Sequence, residues 1–272
     1  MMKFKIKLLV LSYLAFLVFS LLSGLFEGII GEVLFALGFV APLILVLMYL
    51  YKTEDDFSLK EYLGFSRDGG ALLIALGAPT VAAVAGLSYI TSSLIYAVSG
   101  VTENINVGDS YAYALISFAL IPAVLEEGLF RYLPMKMLCK ASPRVCVLLS
   151  AVMFAAAHRS FFQLGYAFLA GVIFMIIDIG SGSVLPSLIL HFLNNVISLT
   201  VIFYGSNSAV ITLLNVIICL LLVLSFAVFA VKRKFVIGKI KSAFKGGEKM
   251  GVDITPLLFI IPALTFALGE FM

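Results

Sequence analysis

Three short patterns place ionisable and amide side chains inside otherwise apolar stretches of this chain, all between residues 126 and 195. The first is Glu126-Glu127-Gly128-Leu129-Phe130-Arg131, the second Phe154-Ala155-Ala156-Ala157-His158, and the third His191-Phe192-Leu193-Asn194-Asn195. Charged groups within a membrane-spanning helix are costly and by default mark a functional site. On a helix, Glu127 and Arg131 lie four apart and share a face, which suits a structural ion pair. Glu126 sits about 100° round from Glu127 and is left as a free carboxylate. A half-buried carboxylate beside a like charge holds a proton more tightly, which suits a general base. Phe154 and His158 share a face, as do His191 and Asn195, and Ala155 to Ala157 allow a neighbouring backbone to approach closely. His158 and His191 are the only histidines in the sequence.

If the helices bearing these patterns pack together, a carboxylate, two imidazoles and an amide meet in a cavity of low dielectric. No serine or cysteine stands beside a histidine as a poised nucleophile, so activated water is the natural one. Glu126 and His158 would deprotonate and aim it at a carbonyl, and His191 and Asn195 would donate hydrogen bonds to the developing oxyanion. That chemistry is hydrolysis of a peptide or amide bond. A metal site is the rival design, since Glu126, His158 and His191 make a three-ligand set of the kind found in catalytic zinc centres. The helical H-E-x-x-H signature is absent. The expectation is no cofactor, with a divalent metal such as zinc as the alternative that spacing leaves open. Plainer readings also stand: the acidic cluster and Arg131 at headgroup level with their charges snorkelling outward, and both histidines as packing residues.

The elements that must carry these residues are membrane helices. The sequence is 62% hydrophobic and only 12% charged, with a mean hydropathy of +1.17, whereas soluble domains carry about 25% charged residues. A soluble fold of this length could not cover so much apolar surface, and lipid removes the need to. Runs of about 20 apolar residues qualify as spans. The candidates are Leu8 to Phe26, Val33 to Tyr51, Gly70 to Val98, Tyr111 to Leu133, Val145 to His158, Phe162 to Ile179, Val184 to Tyr204, Ala209 to Val231 and Val252 to Phe271. The run ending at His158 is short, and the last contains Pro256 and Pro262, so the expected count is eight or nine. The fold class is therefore all-α, a polytopic helix bundle forming a single integral membrane domain over residues 1–272, with the motif-bearing core at 111–204. Pro122 is expected to open its helix just before Glu126.

Loop charges set the orientation. The stretches Glu27 to Glu32, Ser99 to Ser110 and Gly205 to Ser208 carry no Lys or Arg. The alternate loops carry Lys52, Lys60 and Arg67, then Lys136, Lys140 and Arg144, then the tract from Lys232 to Lys249. This positive-inside pattern predicts a cytoplasmic N-terminus in a multi-pass cell-membrane protein. Arg159 is an exception on the outer side. Lys52 to Arg67 reads as an interfacial amphipathic helix or a solvated connector, and Lys232 to Gly251 as a segment on the anionic leaflet or another connector. The net charge of +3 follows from these loops and does not point to nucleic acid. The first apolar run follows Lys3, Lys5 and Lys7 but exceeds a signal h-region and lacks an A-x-A-like site, which predicts a retained helix. Cys139, Cys146 and Cys219 lack metal-ligand spacing and read as free thiols among apolar neighbours.

The motifs E-E-x-x-x-R, F-x-x-x-H and H-x-x-x-N, in that order on consecutive membrane helices, resemble the CPBP family of CAAX prenyl endopeptidases and bacteriocin-processing or self-immunity proteins, also called Abi. The resemblance covers about Tyr111 to Tyr204. It implies that Glu126 is the catalytic glutamate, that His158 helps activate water, and that His191 and Asn195 stabilise the oxyanion. Glu127, Arg131 and Phe154 would fill supporting positions. It further implies a glutamate-dependent rather than metal-dependent endopeptidase, acting on a membrane-associated or prenylated protein or peptide. The alternative is a non-catalytic membrane binding or self-immunity protein using the same polar pocket. A transporter or proton relay would call for an inverted repeat with broken helices in matched halves, and the sequence shows neither.

Overall fold

The computed structural model describes residues 2–26, 28–53, 63–64, 67–101, 107–139, 141–243 and 245. Among these residues all regular structure is helical. The helices are α1 (Met2–Ser23), α2 (Ile29–Thr53), α3 (Arg67–Ser99), α4 (Tyr111–Leu138), α5 (Pro143–Ala157), α6 (Phe161–Ser181), α7 (Leu185–Tyr204) and α8 (Ser208–Ala243). All but α5 are long and apolar enough to cross a membrane, and α5 is a shorter apolar helix. The chain is thus a polytopic all-α bundle, as composition and run lengths predict. The expected last span, Val252 to Phe271, and the expected interfacial segment between Lys52 and Arg67 lie largely or wholly outside the described residues.

The apolar sequence is spent on two surfaces. Outward-facing side chains such as Leu11, Val18, Leu45, Leu94, Leu213, Leu220 and Phe226 are exposed, which suits lipid and would be costly in water. Inward, α1 pairs with α2, α5 with α6, and α3 with both α6 and α8. An aromatic cluster knits the first two helices to α4. The Phe130 ring meets Phe16 edge-on at 5.6 Å and Phe39 at 6.3 Å, in the geometry that ring quadrupoles favour.

Two features of local sequence shape the bundle centre. In α4, the stretches Leu115–Leu120 and Gly128–Tyr132 are π-helical, and the α-helical turn Ile121–Glu127 that ends in the paired glutamates lies between them. Ile121 bonds back to Ile116 and Leu133 to Gly128, five residues away in each case. Wide turns of this kind cluster at functional sites. The helix is therefore widened before Pro122, as its missing N–H predicts, and again before Pro134. Pro134 leaves the carbonyl four residues back, that of Phe130, without its helical donor, and the Ser150 hydroxyl of α5 donates to that carbonyl. Between α5 and α6, Gly171 lets the backbones close: a Cβ there would lie 2.8 Å from the Ala151 Cα.

The tract from Lys232 is helical through Ala243: α8 continues past a kink at Lys232 (φ −104°, ψ 18°), which falls just after the expected end of the span at Val231. Val236 is fully buried there, and Lys239 Nζ lies 2.8 Å from Asp68 Oδ2 at the start of α3.

Candidate active site

The site forms where α4, α5 and α7 meet. Glu127 is fully buried, and its two oxygens are divided between partners. Oε1 accepts from His191 Nδ1 at 2.8 Å, while Oε2 lies 3.5 Å from Arg131 Nε in the i,i+4 pair that spacing predicts. Arg131 is buried as well, and its guanidinium lies over the Phe154 ring, 4.2 Å from the centroid. A second ring, Phe174 of α6, stands at 5.7 Å. Stacking on aromatic faces lets a weakly hydrated guanidinium tolerate burial.

Glu126 points elsewhere, as the rotation of one residue requires. Its side chain keeps 16% exposure, and Oε2 lies 3.9 Å from His191 Nε2, beyond hydrogen-bonding distance. His191 thus has a carboxylate facing each ring nitrogen. Phe154 organises the other side: its ring meets His158 at 4.8 Å and His191 at 5.5 Å, both edge-on. His158 Nδ1 is 2.8 Å from the Phe154 carbonyl. A carbonyl only accepts, so Nδ1 carries the proton, and in the neutral ring Nε2 keeps its lone pair. Asn195 follows His191 by one turn on the same face of α7 and is half-buried.

The structure therefore brings Glu126, Glu127, Arg131, Phe154 and His191 into one contact network, with His158 joined to it through Phe154. Asn195 is placed beside the network by helix register. The bond between Glu127 and His191 is new. Spacing assigns Glu127 to Arg131 alone, and the second contact depends on how α7 is rotated against α4. Asp178 is also missed by the motif reading, although it is the lone acid in the run Phe162 to Ile179, which is a usable signal. It is fully buried on α6, and Oδ1 accepts from the Ser187 backbone N–H at 3.2 Å. As for the rival metal set, Glu126, His158 and His191 are not gathered as ligands. No three His, Cys, Asp or Glu side chains converge to hold an ion among the described residues.

A polytopic helical membrane protein with a buried acid–histidine network is the class that fold and site define. Residues 108–197, from the start of α4 through Asn195, match the family described as type II CAAX prenyl endopeptidase Rce1-like. That match supports the CPBP family of CAAX-type membrane proteases. No curated protein and no solved structure matches the chain. The family supports a CAAX-type intramembrane endopeptidase in general terms, acting on a membrane-associated substrate.

Proposed function

We propose that the chain hydrolyses a peptide bond of a membrane-associated or prenylated protein or peptide, using water activated by Glu126. The observation that supports this most is the division of labour between adjacent glutamates. Glu127 is fully buried, hydrogen-bonded to His191 and ion-paired with Arg131, whereas Glu126 keeps some exposure and faces the same histidine from beyond hydrogen-bonding distance. Glu126 takes a proton from water as the oxygen attacks the scissile carbonyl, with His158 Nε2 as a second acceptor that helps aim it. His191 Nε2 donates to the oxyanion when both ring nitrogens carry protons, the state in which its charge lies between Glu127 and Glu126. Asn195 supplies the second donor. The proton held by Glu126 then passes to the leaving amine as the C–N bond breaks. Residues 111–204 act as the catalytic core of a single membrane domain, with the N-terminus in the cytoplasm.

The test is cleavage of a farnesylated CAAX peptide, and of an unmodified peptide library, by purified protein in detergent with and without a strong chelator. Chelator-resistant cleavage supports the reading, and preference for the farnesylated peptide supports the prenylated class. Chelator-sensitive cleavage contradicts the water-and-glutamate mechanism. No cleavage by folded protein favours the binding or self-immunity alternative.

A further inference from the structure

The chain reverses sharply between α6 and α7. Gly182 takes the left-handed conformation (φ 73°) that closes α6, and α7 starts three residues later at Leu185. The first N–H groups of a helix have no partner within it and must find acceptors, above all where no water reaches. The Ser183 hydroxyl accepts from Leu185 at 3.1 Å. Pro186 has no N–H to place, and Leu188 already bonds to the Val184 carbonyl at 3.0 Å. Ser187 is left, and the capping residue Val184 has no side-chain oxygen to offer it. The acceptor comes from the preceding helix: Asp178 Oδ1, with both residues fully buried. Ser187 and His191 are one turn apart on one face of α7, and the Ser187 side chain lies beside both the Asp178 and Glu127 carboxylates.

We propose that Asp178 is a positioning residue for His191: by holding the Ser187 N–H it fixes the first turn of α7 against α6, and so keeps the imidazole one turn later against Glu127. Asp178 touches no reacting atom. It acts through the azimuth of α7, the quantity on which the 2.8 Å bond between His191 and Glu127 depends.

The protein has two histidines, so NMR of ¹⁵N-histidine-labelled protein in detergent reads each ring separately. In D178A the His191 Nδ1 proton signal should shift or vanish while the His158 signal stays. D178N keeps an oxygen at the acceptor position and should restore the His191 signal. In the peptide assay, D178A should lower kcat about 10–100-fold, the cost of a slight misplacement, with KM within about twofold. An unchanged His191 signal in D178A, equal disturbance of both rings, or no rescue by D178N would overturn the proposal. Should D178A not accumulate, S187P removes the same hydrogen bond from the donor side and is read by the same signals. The kinetic arm rests on the endopeptidase reading and the spectroscopic arm does not. A His191-specific shift in a protein that cleaves nothing sinks that reading alone, and cleavage with an unmoved His191 sinks the positioning role alone.

Discussion

Replacing Glu127 by glutamine removes one charge from the centre of the bundle while leaving an oxygen for His191. Glu127 and Arg131 side chains are both fully buried, and the three guanidinium nitrogens have no hydrogen-bond partner. Arg131 is left with the Phe154 and Phe174 faces, such a contact being worth about 2 kcal/mol when desolvated. Breaking a buried pair by removing one partner costs about 3–5 kcal/mol. At about 2–4 °C per kcal/mol for a chain of this size, E127Q should lower the apparent melting temperature in detergent by roughly 6–20 °C. R131M strands the opposite charge and should cost a similar amount. The double variant E127Q/R131M leaves no stranded charge and should melt well above the sum of the two losses, with a coupling of about 2 kcal/mol or more. Melting followed by circular dichroism on the four proteins supplies the cycle. Strict additivity, or single variants that melt within about 2 °C of the parent, would refute the claim that the pair is buried and mutually dependent.

Two further outcomes follow from the contacts around α5. G171A must push a new Cβ against the Ala151 backbone, so α5 and α6 part and stability falls by about 1–3 kcal/mol; an unchanged melting temperature would contradict that close approach. S150A removes the donor that serves the carbonyl Pro134 leaves free, at a cost of about 1–3 kcal/mol for a buried orphan acceptor, measured by the same melting experiment.

The spans were legible because lipid imposes a simple rule: runs of apolar residues with charge at their ends. Glu126, His158 and His191 were legible for the complementary reason, that polar groups stand out against such runs. What spacing along one helix cannot give is the rotation of one helix against another. The Glu127–Arg131 pair lies within α4 and was readable, whereas the Glu127–His191 bond joins α4 to α7 and was not. The wide turns of α4 were half-readable, since Pro122 and Pro134 mark where the helical ladder is broken but not how the freed carbonyl is satisfied. Asp178 was visible as a lone acid, yet its partner is a backbone N–H across a turn, which no side-chain pattern records. The kink at Lys232 falls where the lysines mark the end of the span, but the contacts of the following turns, Val236 in the core and Lys239 with Asp68, are made to another helix and cannot be read from the tract's own sequence.

In the proposed reaction Glu126, and not its buried neighbour, moves the proton. The most direct test compares kcat of the parent and E126Q on one internally quenched peptide that the parent cleaves, with melting temperatures measured on the same preparations. The expected result for E126Q is a loss of about 100-fold or more in kcat, with an unchanged melting temperature because Glu126 is only half-buried and its buried oxygen has no hydrogen bond to lose. Turnover by E126Q at the parental rate would contradict it.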